Sequence, residues 1–326
     1  MNTSNRRLQI TATSSAAALL IVIAASACGT GNGGKNDTTA AAPDSVPTTE
    51  ELANATYAGV LDKPVTLTDG RWEGAPFVDG GASRPSVGLV KNFALTGDIN
   101  GDGRDDAVVL LWESSGGSGT RSFLAAMSRA NGAVVNLGTE FIGDRVQVKD
   151  GFISDGSITF DLIETGPGDA ACCPSQKALI GWKLNDGRLE RVESEITGTL
   201  SLADLQGPEW VLAEIGPGAP VAENPPVTIV FAGDRVAGEG GCNGYFGTVS
   251  SEAPGRLAFS AMGATMKMCP EPVSDRERRY LRALAGGSTY GFLAGRLVIG
   301  CETDDGLVQL LFRRREAAAP PTNQGS

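Results

Sequence analysis

Short apolar runs separated by Gly, Asn and Asp dominate this chain, with turn pairs at Asp69-Gly70, Asp150-Gly151, Asp155-Gly156 and Asn185-Asp186-Gly187. These residues tolerate the positive φ that tight hairpins require, so the runs between them read as antiparallel strands. The candidate strands are 88–95, 107–112, 122–127, 145–149, 157–163 and 178–184. No long helical period interrupts them, which predicts an all-β first domain over 49–196. A short helix over 49–54 opens it, started by a Thr48-x-x-Glu51 capping box.

The boundary is placed in 197–207, and strands resume at 210–215 and 227–231. One helix then follows. Ser274-Asp275-Arg276-Glu277 reads as its capping box, Tyr280, Leu281 and Leu284 as its apolar stripe, and Gly286-Gly287 as its stop. Strands return at 289–293, 297–301 and 307–312. The fold class expected is mainly β: two antiparallel β domains, the second, 205–314, a sheet packed with one helix.

The ends of the chain differ from this middle. Arg6 and Arg7 precede a charge-poor run that closes on Ala25-Ser26-Ala27-Cys28-Gly29, the anatomy of a lipoprotein export signal over 1–27. Cys28 would then carry acyl chains and hold the protein at a membrane. Residues 28–48 have almost no large apolar side chain and read as a tether, and 315–326, with Pro320-Pro321, as a disordered tail. The expected place is the cell envelope, lipid-anchored, on the extracytoplasmic side.

Charge and composition narrow the chemistry. Removing the basic leader takes the net charge from -11 to -13, a surface that repels nucleic acid and suits cations, basic partners or solubility. Histidine is absent, which removes the commonest general base, His-containing triads and nearly all catalytic zinc sites. With Cys28 assigned to lipid, Cys172, Cys173, Cys242, Cys269 and Cys301 remain. In an oxidising compartment these are disulfide candidates before they are metal ligands, and an odd number leaves one thiol over.

One segment has metal-ligand spacing: Asp98-x-Asn100-x-Asp102-Gly103-x-x-Asp106. Its side-chain oxygens, with the Arg104 carbonyl, could cage calcium, although Val109 stands where an EF-hand needs Glu. The other reading is a plain turn in which the same side chains bond nearby backbone N–H groups. The Gly-rich run 114–120 lacks the Lys and the helix of a phosphate loop and reads as a hairpin tip. Trp72, Trp112, Trp182, Trp210 and Tyr245 lie in strand patterns and are assigned to core packing.

The strings Gly241-Cys242-Asn243-Gly244-Tyr245-Phe246-Gly247 and Ala264-Thr265-Met266-Lys267-Met268-Cys269-Pro270, with the helix and the hairpin after them, resemble the META domain family of HslJ-type bacterial envelope lipoproteins. The resemblance implies a small antiparallel β domain with one helix, without established catalysis and associated with stress and antibiotic tolerance. Gly97-Asp98-Ile99-Asn100-Gly101-Asp102-Gly103, Ser115-Gly116-Gly117-Ser118-Gly119-Thr120, Gly143-Asp144-Arg145-Val146 and Cys172-Cys173-Pro174 resemble the uncharacterised domain found beside META domains. Gly241 and Gly244 would bring Cys242 beside Cys269, either as a bridge or as two buried thiols. Cys172 and Cys173 have three options: a vicinal bridge, a pair with Cys301, or separate partners, with one of the two expected to pair elsewhere.

These observations lead to a non-catalytic, lipid-anchored envelope protein, a binding or structural module linked to stress tolerance. Its expected partners are the membrane, through the anchor, and an envelope protein or glycan, with calcium as the candidate cofactor. The alternative is a hydrolase using carboxylates of the first domain, which would need a deep pocket with convergent carboxylates of raised pKa.

Overall fold

Thr48 fixes the first element of the fold. Its Oγ accepts the Glu51 amide at 3.2 Å while Glu51 Oε2 accepts the Thr48 amide at 2.8 Å, the reciprocal cap expected for helix α1 (Thr49–Ala53). The computed structural model describes residues 45–117 and 119–315. The export signal and Cys28 lie outside the described residues. The last four residues of the expected tether are built into the fold: Pro47 is buried, Val46 packs half-buried against the Leu52 and Tyr57 cluster, and the Ser45 carbonyl accepts Arg129 Nε at 2.8 Å.

After α1, the short strands β1 (Thr56–Tyr57) and β2 (Val65–Thr66) pair with each other. A six-stranded antiparallel sheet follows, from β3 (Arg71–Glu73), β4 (Ser86–Leu89), β5 (Leu95–Gly97), β6 (Asp106–Ser114), β7 (Arg121–Ala130) and β8 (Ala133–Asp144). A four-stranded meander is built from β9 (Gln147–Ser154), β10 (Ser157–Glu164), β11 (Gln176–Asn185) and β12 (Arg188–Thr199). The six-stranded sheet is the middle layer. Val109, Leu111, Phe123 and Met127 pack on Leu52, Tyr57 and Val65, while Val108, Leu110 and Leu124 pack on Ile158, Phe160 and Trp182 of the meander. Coverage on both faces explains the unbroken apolar run of β6, since a strand with one wet face would alternate.

The remaining strands are β13 (Glu209–Ile215), β14 (Thr228–Ala232), β15 (Arg235–Glu239), β16 (Gly244–Ser250), β17 (Ala258–Phe259), β18 (Gly263–Ala264), β19 (Gly287–Leu293), β20 (Arg296–Thr303) and β21 (Gly306–Arg315). They form one sheet in the order β17-β16-β15-β14-β13-β21-β20-β19, with β18 on β16. An Arg256–Thr289 bridge joins its two ends and nearly closes it into a barrel. Helix α2 (Glu271–Ala285) lies on this sheet, with Tyr280 and Leu284 buried among Trp210, Ile229 and Phe312. The fold is mainly β, as the turn pattern predicts, and the described residues fall within one compact unit.

Four local features differ from or add to the expectations. Helix α2 starts at Glu271 after Pro270, three residues before the expected start at Ser274. Pro272 is tolerated in a first turn, and Ser274 Oγ instead donates to the Cys269 carbonyl at 3.0 Å. Asp150-Gly151 is not a turn but part of β9, where Gly151 faces the Phe160 ring with no room for a Cβ. Segment 197–207 carries the end of β12 and a 3-10 turn at Leu202–Leu205, and its Leu200 and Leu205 enter the core of the last sheet. Arg315, expected in the tail, pairs with Glu209 as the final residue of β21. The hairpins at Asp155-Gly156 (φ 51° and 69°) and Asp186-Gly187 (φ 47° and 76°) form as expected.

Candidate functional site

A candidate binding site lies where the β19–β20 hairpin docks on the first sheets. The tip, Ala294-Gly295, reaches β9, with the Gly295 amide donating to the Val148 carbonyl at 3.0 Å and the Phe292 amide to Gln147 Oε1 at 2.8 Å. Arg314 adds an ion pair to Asp150 at 3.0 Å. Beside these contacts run two adjoining clefts of about 440 and 460 Å³, which share Val90, Trp112 and Leu293. Clefts of this size accommodate small organic ligands.

Their walls are mixed. Leu89, Val298 and Leu311 give the first cleft an apolar lining, and Leu293 is 44% exposed at the shared wall. Arg71, Lys91 and Arg296 line the first cleft and Arg145 the second, against the acidic Asp69 and Glu214. Arg71 stacks on Trp112, its guanidinium carbon 5.7 Å from the ring centroid. Arg296 donates to the Lys91 carbonyl at 3.1 Å, whereas its Nε is buried with no hydrogen-bond partner. Burial pulls the Arg296 guanidinium below its ordinary pKa, opposed by Glu214. Glu214 itself is tied down, its Oε2 accepting the Gly218 amide at 2.8 Å. Trp112 is thus a half-buried cleft wall and not the core residue its strand pattern suggests, while Trp182, Trp210 and Tyr245 are buried as expected.

In the Asp98–Asp106 loop the side-chain oxygens bond nearby backbone N–H groups. Asp98 accepts the Gly101 amide at 2.7 Å and the Gly103 amide at 2.9 Å; Asn100 Oδ1 accepts the Asp102 amide at 2.8 Å. Asp102 accepts the Arg104 amide at 2.9 Å and the Arg104 guanidinium at 2.7 Å. Asp106 is fully buried, and its Oδ2 accepts the Ile99 and Asn100 amides at 3.1 and 3.3 Å. Among the described residues, no group of three or more His, Cys, Asp or Glu stands close enough to hold a metal ion.

The cysteines sort by environment. Cys242 and Cys269 lie at disulfide distance with Cα atoms 6.0 Å apart, closing the bridge that was one of their two readings. Cys172 and Cys173 pair with each other, which corrects the expectation that one of them pairs elsewhere. They share an exposed loop, and Cys301, the remaining thiol, is sealed in the core of the last sheet. Burial pushes the Cys301 thiol up to about 12, so it stays protonated and inert.

Around the Cys242 bridge is a lock that sequence reasoning missed. Glu277, expected to cap the helix, turns toward the loop: its Oε2 accepts the Cys242 and Asn243 amides at 3.1 and 2.6 Å, and its Oε1 accepts Asn243 Nδ2 at 2.8 Å. Asn243 Oδ1 in turn accepts the Lys267 amide at 2.6 Å and the Thr265 hydroxyl at 2.9 Å. The Cys-Asn-Gly string is therefore a clasp joining two loops to α2.

A search of curated proteins finds no match. A structure solved by NMR is similar at 21% identity, over 35% of this chain and 94% of its own length, with a TM-score of 0.29. A second NMR structure, of a protein from Burkholderia xenovorans, is similar at 22% identity over 39% of this chain and 96% of its own, again with a TM-score of 0.29. The family model of the META domain matches residues 203–314, the stretch that carries the clasp, helix α2 and the near-closed sheet. The C-terminal third of this chain is a META domain.

Proposed function

We propose that this protein is a non-catalytic, lipid-anchored envelope module that binds an organic anion with an apolar body in the cleft beside its META domain. The observation that carries this reading is the cleft itself. Four cations, Arg71, Lys91, Arg145 and Arg296, gather along an apolar, Trp-lined groove in a chain whose net charge is -11. An acceptor group on the ligand would pair with the orphaned Arg296 Nε–H, and its apolar part would cover Leu293 and the Trp112 edge.

Anchoring through Cys28 and a role in stress tolerance complete the reading. The export-signal anatomy and the envelope setting of META proteins support both, and no helix among the described residues is long and apolar enough to cross a membrane. The hydrolase alternative calls for converging carboxylates. Burial pushes the Glu140 carboxyl up, but Glu140 lines neither cleft. The Asp98 loop, its side-chain oxygens bonded to nearby amides, takes no part in this reading.

The test uses 8-anilinonaphthalene-1-sulfonate, an apolar anion, titrated into the folded protein. Saturable binding that drops at least tenfold in Arg71→Gln/Arg296→Gln, with an unchanged melting temperature, is the expected result. Binding that is equal in both proteins, or absent from the parent, overturns the cleft assignment.

A further inference from the structure

We infer that the Cys172–Cys173 pair is a reversible thiol-exchange site whose state governs how the β10–β11 loop holds Arg145 at the second cleft. Three observations converge on it. Both cysteines are exposed and paired at the tip of loop 165–175, while in the second disulfide Cys242 is buried and Cys269 half-buried, and Cys301 is buried. An exposed disulfide is open to attack by an incoming thiolate, the class to which labile and regulatory bridges belong. The two residues are adjacent in sequence, so their bond closes the smallest possible loop and constrains the unfolded chain little. Its reduction therefore costs the global fold little, whereas opening a bridge across a longer loop costs more.

The third observation is where the loop is attached. Asp169 anchors its base, accepting the Gly166 and Ser175 amides at 2.8 and 2.7 Å, so the tip is the part free to change. At that tip the Ala171 carbonyl, next to Cys172, accepts Arg145 Nη1 at 2.7 Å. Arg145 lines the second cleft, holds φ 52°, and also pairs with Asp144 at 2.6 Å. The cysteine pair and the cleft cation are thus linked through one carbonyl.

The chemistry balances with an external dithiol as the reductant. One thiolate of the dithiol attacks either sulfur, forming a mixed disulfide and expelling the other cysteine as a thiolate, which takes up a proton. The second thiol of the dithiol then displaces the remaining cysteine. The protein gains two electrons and two protons, and the dithiol becomes a disulfide.

The experiment exposes the full native chain to graded dithiothreitol, quenches it with N-ethylmaleimide and reads each cysteine by peptide mass spectrometry, with amide hydrogen exchange in parallel. Cys172 and Cys173 should be alkylated together at a dithiol concentration at least tenfold below that needed for Cys242 and Cys269, with Cys301 labelled only on unfolding. Exchange should rise in 166–175 and 145–147 and stay level in 244–250. Free thiols at 172 and 173 before treatment, or reduction no sooner than the second bridge, overturns the exchange site. Faster exchange confined to 166–175 overturns the link to Arg145.

Discussion

Two glycine-rich loops of this molecule look alike in sequence and are held in opposite ways. The loop at Asp98–Asp106 satisfies its backbone with its own side chains, every bond reaching seven residues or fewer. The loop at Cys242–Asn243 takes its acceptor from Glu277, 34 and 35 residues further on, and a disulfide partner 27 residues away. A run of Asp, Asn and Gly can therefore be complete within itself, whereas a run with one Cys and one Asn is complete only when a helix docks. The first kind of loop is a turn with chemistry-bearing residues. The second transmits the position of α2 to two strand connections at once.

That contrast predicts the largest stability effect at Glu277. Glu277→Ala leaves the Cys242 and Asn243 amides and Asn243 Nδ2 without their buried acceptor, and a loss of about 4 kcal/mol is expected in urea unfolding. Opening the bridge in Cys242→Ser/Cys269→Ser comes next at about 3 kcal/mol, because a 27-residue separation is released in the unfolded chain. If Glu277→Ala cost less than the bridge, the clasp would be secondary to the disulfide.

Legibility in the sequence follows the same division between local and distant causes. The α1 cap, the Asp155-Gly156 and Asp186-Gly187 hairpins and the stop at Gly286 are decided by residues within four positions of one another, and all are readable. Strands β8 and β12 escaped the apolar pattern. The first carries Asn136 and Gly138 at a register shift, and the second is an edge strand with only Leu189 buried. The cleft had no sequence signal at all. Arg71 and Trp112 meet across the first sheet, both in register with Gly88, and Lys91 follows β4, whereas Arg296 joins them only because Ala294-Gly295 docks on β9. Glu277 was visible as a helix acid, but its role needed the helix to begin at Glu271.

The self-contained loop should break more gently. Asp106→Ala removes a buried acceptor of two amides and is expected to cost about 2 kcal/mol, read by urea unfolding. The turn reading further expects the melting temperature of the parent protein to be the same in millimolar calcium and in chelator. A rise with calcium would move Asp98, Asn100, Asp102 and Asp106 back to the cage reading.

The smallest effect tests a case between the two loops. Glu51 closes its own cap locally yet also takes Arg129 Nη2 at 2.6 Å, from a strand 78 residues away. That guanidinium first, and the Thr48 amide next, hold the Glu51 carboxyl down from 4.5 to about 2. A carboxyl depressed in the fold stabilises it fully above its unfolded value, and this contribution disappears as the pH falls from 4.5 toward 2. The side chain is 32% exposed, so solvent screening limits the effect to about 1 kcal/mol. Glu51→Gln should therefore lower the urea midpoint at pH 6 and converge with the parent near pH 2. A constant gap between the two proteins across that range would mean that the cap works through shape and hydrogen bonding, with Arg129 adding no charge-dependent hold.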